Sequence, residues 1–219
     1  MYKGKRLDPD TDGLSGIEYN DSEILHQFLT SLGKAIDAKD AGTGSHSSEV
    51  ARIAEAIGWA MGITGQEIRW LHMAGLLHDV GKIGIPDSLL SKPGPLDEEE
   101  WEIIKTHPAK GEAIIRPVCE FSAPGSVADI VRHHHERFDG NGYPDGLRED
   151  AIPLGARIVA VADTISTMLQ DRPYQSSQSF EKVAEEVLHC AGTAYDPDVV
   201  EAFLTIQDDI KHVLAEKKE

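Results

Sequence analysis

The sequence predicts an all-α fold, one helical domain behind a short polar arm. Three observations carry that expectation: apolar residues recur at spacings of three and four through nearly every segment after about residue 20, no strand alternation of useful length appears, and no internal repeat divides the chain. With 219 residues, 40% of them hydrophobic, the chain holds enough apolar material for one sizeable core.

Taken in order, residues 1–20 are polar and carry Pro9, Gly13 and Gly16, so they read as an arm or linker, with the domain over 21–219. A first helix over about 22–38 places Ile24, Leu25, Phe28, Leu29, Leu32 and Ile36 on one stripe. A second runs from Ser45 to Met61, with Val50, Ile53, Ala54 and Ile57 on one face, and His46 shares that face four residues before Val50. The third, Gln66 to Val80, stops at Gly81 and closes on His78 and Asp79. Turn-rich pieces follow around Pro86 and Pro93. Asp97 to Glu100 then crowd the first turn of a fourth helix, where the macrodipole favours anions, and that helix is read as continuing through His107.

A fifth helix over about 126–137 sets Val127, Ile130, Val131 and His134 on one face before the chain breaks into a loop with Gly140, Gly142 and Gly146. The sixth, about 154–170, is apolar through Ile158–Ala162 and then presents Asp163. Two ordinary amphipathic helices, 177–191 and 196–216, complete the chain.

Composition narrows the function classes. Thirty-eight acids against 21 bases leave a formal charge of −17, and no basic stripe offsets it, which argues against extended nucleic acid as a partner. No stretch is long and apolar enough for a membrane span, and no hydrophobic signal core follows the first basic residues, so no membrane partner is expected and a cytoplasmic location is. Cys119 and Cys190 lie too far apart for a disulfide framework or a thiolate zinc site.

The informative feature is a set of groups that are costly to bury, emerging from helix faces that otherwise read as core: His46, His78, Asp79, His107, His134, His135 and Asp163. Any one of these histidines alone is more commonly a satisfied core residue. Together, the His78-Asp79 and His134-His135 pairs and an Asp inside an apolar helix call for cations. Five imidazoles and two carboxylates suffice for two ions, and without thiolate they suit Fe, Mn, Zn, Co or Ni. Neighbours on a helix point about 100° apart, so His134 and His135 approach one ion from two directions. His26, His72, His133, His189 and His212 stay outside the set as surface or packing residues.

His78-Asp79-Val80-Gly81-Lys82 together with His134-His135-Glu136-Arg137-Phe138-Asp139-Gly140-Asn141-Gly142-Tyr143-Pro144 resembles the HD-GYP domain of the HD metal-dependent phosphohydrolases. The likeness extends through His46-Ser47, His107-Pro108, Val161-Ala162-Asp163 and Asp171-Arg172-Pro173-Tyr174, over roughly residues 25–205. The resemblance implies an HD-domain-like helical bundle and a phosphodiesterase that opens cyclic di-GMP to pGpG, and in some members on to GMP. It implies two divalent ions, Fe or Mn favoured with Zn, Co and Ni compatible, that share and activate a hydroxide. One ion falls to His46, His78, Asp79 and Asp163, the other to Asp79, His107, His134 and His135, with Asp79 bridging. Lys82 and Asp79 take catalytic roles; Lys82, Gly142, Tyr143 and Arg172 face the substrate; Glu136 and Asp139 orient ligand histidines from behind.

Four departures from the family pattern carry expectations. Gly42 stands where some members place a third-metal Glu, so two ions are expected. Ser166 replaces a usual Asp, and Gln175 stands where a basic residue is frequent, so turnover is expected to be reduced, with a cyclic-dinucleotide-binding module as one alternative and a phosphohydrolase for another nucleotide as a second. Glu49 replaces a frequent Arg and reads as a surface change. Relatives of this kind carry a sensor or receiver domain in front, so a sensor protein or diguanylate cyclase is the expected protein partner.

Overall fold

The computed structural model describes residues 21–40, 45–170 and 177–215. The readings made for the N-terminal arm, Gly42, Arg172 and Gln175 therefore lie outside the described residues. Helices α1 (Asp21–Lys39), α2 (His46–Ala60) and α3 (Gly65–Leu77) pack first. Their crossings are tight because small residues face each other: a Cβ on Gly75 would stand 2.5 Å from Ala51 Cα, and one on Gly33 would stand 2.8 Å from the Leu76 carbonyl oxygen. Such close approach lets α2 and α3 bring His46 and His78 together.

Beyond α3 the chain tightens into a 3-10 turn (Val80–Gly84) and a short helix α4 (Asp87–Leu90). Next come α5 (Glu98–Ile104), α6 (His107–Ile115) and α7 (Val127–His133). Helix α8 (Leu154–Leu169) crosses α2 and carries the most buried apolar face, including Ile158, Val161 and Ile165. The C-terminal layer is α9 (Phe180–His189), α10 (Pro197–Thr205) and α11 (Gln207–Ala215). One continuous core joins Val50, Ile53 and Ile57 of α2 to Leu71, Val131, Ile158 and Phe203. None of the helices among the described residues is long and apolar enough to cross a membrane.

Several expected boundaries are corrected. The helix expected to continue through His107 is two, because Pro108 has no amide hydrogen to carry the ladder onward; α5 ends at Ile104 and His107 opens α6. Helix α7 stops at His133, so His134 and His135 sit in the turn beyond it and not on a helix face. Helix α3 likewise ends at Leu77, with His78 capping it. The last expected helix breaks at Ile206 into α10 and α11. Along α1 the apolar stripe is only half used: Leu29 and Ile36 are buried, whereas Ile24, Leu25 and Phe28 are exposed.

Candidate metal centre

Each of the seven residues reaches the centre from a backbone break or a tight crossing. His46 begins α2, whose N-terminus is capped by a carboxylate from α1: Asp37 accepts from the Ser47 amide at 3.1 and 3.3 Å and from the Ser47 hydroxyl at 2.5 Å. His78 and Asp79 occupy the step from α3 into the 3-10 turn. That turn lies directly on α6, since a Cβ on Gly81 would stand 1.9 Å from the His107 carbonyl oxygen, and so His107 is delivered beside Asp79. Thus Gly81 is required by close approach.

Two overlapping sets result. One ligand atom from each of Asp79, His107, His134 and His135 falls within 4.8 Å of the others, and the same holds for His46, His78 and Asp79. Asp79 belongs to both. Asp163 stands outside those mutual distances but joins the second set, its Oδ1 lying 3.1 Å from His46 Nε2 and 4.0 Å from His78 Nε2.

The orientation of the rings is fixed from behind. Nδ1 of His78, His107 and His134 each donates to a main-chain carbonyl three residues earlier, of Gly75, Ile104 and Val131, at 2.9, 2.8 and 2.7 Å. A carbonyl only accepts, so Nδ1 carries the proton and Nε2 turns inward. These three residues are at most 1% exposed, yet their Nε2 atoms and Asp79 Oδ1 have no hydrogen-bond partner. His78 Nε2 and His107 Nε2 do lie 3.3 and 3.2 Å from Asp79 oxygens, but out of line for a hydrogen bond. Buried polar atoms left open cost free energy, and four of them converging on one point fit divalent cations.

Charge at the centre follows the same logic. Burial opposes ionisation of Asp79, but Lys82 and His78 outweigh it and hold the carboxyl well below its usual range. Asp163 is likewise held low against burial by His46 and His78. Burial and the neighbouring imidazoles push His134 well down, and burial with His107 pushes His135 down to about 3, so both are neutral and ready to donate a lone pair. Lys82 Nζ lies 2.8 Å from Asp79 Oδ2 and also pairs with Asp40, and these two acids overcome burial to keep it charged.

The glycine-rich loop folds back over this centre. The Tyr143 amide donates to the His135 carbonyl at 3.2 Å, and a Cβ on Gly142 would stand 2.3 Å from the Arg137 nitrogen, so Gly142 is needed where the loop meets the turn after α7. The Tyr143 ring lies 4.9 Å from that of His135 and 6.3 Å from that of Trp101. Burial, then the charges of Asp79 and Asp163, raise its hydroxyl, which stays protonated and able to donate.

Glu136 and Asp139 make their hydrogen bonds within the loop. Among the described residues, neither hydrogen-bonds one of the inward-facing histidines. Glu136 accepts from the amides of Asp145 (2.7 Å) and Leu147 (3.1 Å), and Asp139 pairs with Arg137 and accepts from the Asn141 amide (3.0 Å), so both hold the loop. For His78, His107 and His134, main-chain carbonyls take the orienting role. Outside the centre, His133 is bound to the Asp129 carbonyl and to Asp145, and His72 to Glu55. Asp37, Asp40 and Trp101 had no signal in the sequence, since each reaches its partner across the fold.

An HD domain family model matches residues 31–199. The chain belongs to the HD-domain family. Among curated relatives, this HD domain is 38% identical over 206 residues to the cyclic di-GMP phosphodiesterase of Thermotoga maritima, covering 92% of this chain and 54% of the relative. It is 40% identical over 183 residues to a cyclic di-GMP phosphodiesterase response regulator of Xanthomonas campestris pv. campestris, covering 83% and 48%. A 3'3'-cGAMP-specific phosphodiesterase of Vibrio cholerae is 38% identical over 181 residues, covering 81% and 38%. The chain thus spans about half the length, or less, of these relatives. A crystal structure of a V. cholerae cyclic GMP-AMP specific phosphodiesterase superposes with TM-score 0.64 over 89% of this chain and 49% of that one, and an HDG"Y"P protein of Bdellovibrio bacteriovorus with 0.61 over 87% and 65%. Both are 20% identical to it and support the fold.

Proposed function

We propose that residues 21–219 form an HD-GYP phosphodiesterase domain that hydrolyses cyclic di-GMP to pGpG, and on to GMP, using two divalent ions, iron or manganese. The observation that carries the reading is the convergence of open, buried Nε2 and carboxylate atoms on two sets sharing Asp79. His46, His78, Asp79 and Asp163 would hold one ion, and Asp79, His107, His134 and His135 the other. Two cations so held supply Lewis-acid charge at a phosphoryl oxygen and acidify water, which a chain of net charge −17 needs at a phosphate site.

The chain's own groups supply the rest. Lys82 commits two of its three ammonium protons to Asp79 and Asp40, leaving one for a phosphate oxygen as charge develops. Tyr143, kept protonated, offers its hydroxyl beside His135, and Gly142 holds it there. Arg172 is assigned a second phosphate contact by its position in the family motif.

The test is to load the protein anaerobically with Mn2+ or Fe2+, add cyclic di-GMP, and follow pGpG and GMP. Appearance of pGpG supports the reading, and its absence with both metals overturns it. Because a relative of equal identity is named for 3'3'-cGAMP, that nucleotide runs in parallel. Faster cleavage of it would move the substrate while keeping the chemistry. Tight binding of either without cleavage would leave a receptor.

A further inference from the structure

Three of the inward-facing histidines lean on main-chain carbonyls, which leave no choice about where the ring proton sits. His46 is held differently. Its Nδ1 lies 3.0 Å from the hydroxyl of Ser166, and a hydroxyl can give or take a proton. Both tautomers of His46 would then find a partner, because a proton on Nε2 would meet Asp163 Oδ1 at 3.1 Å and close the ligand position.

What decides between them lies one bond further out. Ser166 Oγ is 2.9 Å from Glu49 Oε2. Gln170 Nε2 donates to that same carboxylate oxygen at 2.5 Å and lies 3.3 Å from Ser166 Oγ, while the Ser45 hydroxyl donates to Glu49 Oε1 at 3.0 Å. An ionised carboxylate only accepts, so the single proton of Ser166 goes to Glu49, and the serine lone pairs are left facing Gln170 and His46. His46 Nδ1 must then donate. Its Nε2 keeps the lone pair.

We infer that Glu49 is a positioning residue: acting through Ser166, it fixes His46 in the Nδ1–H tautomer and so keeps Nε2 open to a metal ion. The inference rests on the reading of His46 as a ligand. Ser166 is fully buried in α8 and Glu49 belongs to α2, so the relay also ties the ligand's tautomer to the α2–α8 crossing.

The test titrates Mn2+ by calorimetry into the metal-free full chain as wild type, Glu49→Gln, Ser166→Ala, the double variant, and Ser166→Asp combined with Glu49→Gln. Imidazole nitrogen shifts of His46 are read in parallel. A glutamine can turn its amide to donate, so Glu49→Gln releases the direction of the relay. Each single change is expected to weaken one of two Mn2+ sites by roughly 10- to 100-fold, the range for groups behind a metal ligand, and to leave the other site unchanged. The double variant should lose no more than Ser166→Ala alone. Placing an acceptor-only Asp directly against His46 should restore both the affinity and the Nδ1–H shifts. Glu49 is only partly buried and its replacement is isosteric, so that variant carries the test if Ser166→Ala does not fold. Wild-type affinity at both sites and unchanged His46 shifts in Glu49→Gln would overturn the inference, as would single losses that simply add in the double variant. Wild type binding fewer than two Mn2+ is a distinct result, which overturns the metal-centre reading and the relay with it.

Discussion

His78 shows how much one buried imidazole commits the protein to. Burial opposes its charge, but Asp79 and then Asp163 outweigh that and lift it from 6.5 to about 9 in the metal-free protein. A raised folded value means the charge favours the metal-free fold fully below pH 6.5, and the contribution is lost as pH rises through about 9. A metal ion needs Nε2 bare, so binding near neutral pH must expel that proton, whereas His134 and His135 are already neutral and release none. Calorimetry of Mn2+ binding at pH 7.5 in buffers of different ionisation enthalpy should therefore show about one proton released from His78, with affinity falling by up to tenfold per pH unit between 9 and 7. Binding without proton release would contradict the assignment. At this scale the sequence marked the residues that converge and was poor about what stands behind them. The seven residues stand out as a set, because adjacent His-Asp and His-His pairs together with an Asp inside an apolar helix are anomalous jointly. Ser166 and Glu49, by contrast, read separately as a lost acid and a surface change. Their partnership exists only across 117 positions of chain, as a 2.9 Å contact.

Elements carry those residues to one point, and their boundaries are where the sequence reading slipped. Periodicity located α1, α2 and α8 to within a residue or two, because long stripes average out local exceptions. It ran α5 into α6 and α7 through His135 because a histidine at a helix end continues the apolar face until tertiary contacts stop it. The loop after α7 makes the functional cost of those boundaries testable. Glu136 holds it by two amide hydrogen bonds, and Arg132 by a pair to Asp145 at 2.7 Å. Glu136→Ala leaves both amides without their acceptor, a loss of roughly 1–3 kcal/mol in loop anchoring. The expected outcome is a raised KM with Mn2+ stoichiometry unchanged. A fall in metal content would instead support a histidine-orienting role for Glu136. At the other end of the site, Asp37 caps α2 from α1. Asp37→Ala should cost about 1–2 kcal/mol in denaturant unfolding of the metal-free protein and also weaken Mn2+ binding, because the residue before the capped amide is His46. Unfolding without any change in metal affinity would separate the cap from the site.

For the whole molecule, the centre is where separate segments converge. Acids and imidazoles from α2, the α3 terminus, α6, the turn after α7, and α8 meet in the interior, and their open atoms detract from the metal-free fold while the apolar core around them is complete. Any ion that binds only the folded chain draws on that arrangement, stabilising it by RT ln(1 + [L]/Kd), or about 2.7 kcal/mol per site at a hundredfold excess over Kd. For a chain of this size each kcal/mol moves the melting temperature by roughly 2–4 °C, so saturating one site should raise Tm by about 5–11 °C and filling both should raise it further. The rise should be reversed by chelator, and it should be much smaller in Asp79→Asn, which weakens the one carboxylate both ion positions share. Differential scanning fluorimetry of the metal-free chain against Mn2+ reads this directly. A flat melting curve would mean the open atoms pair with one another on slight rearrangement, and that five segments converge there for packing alone.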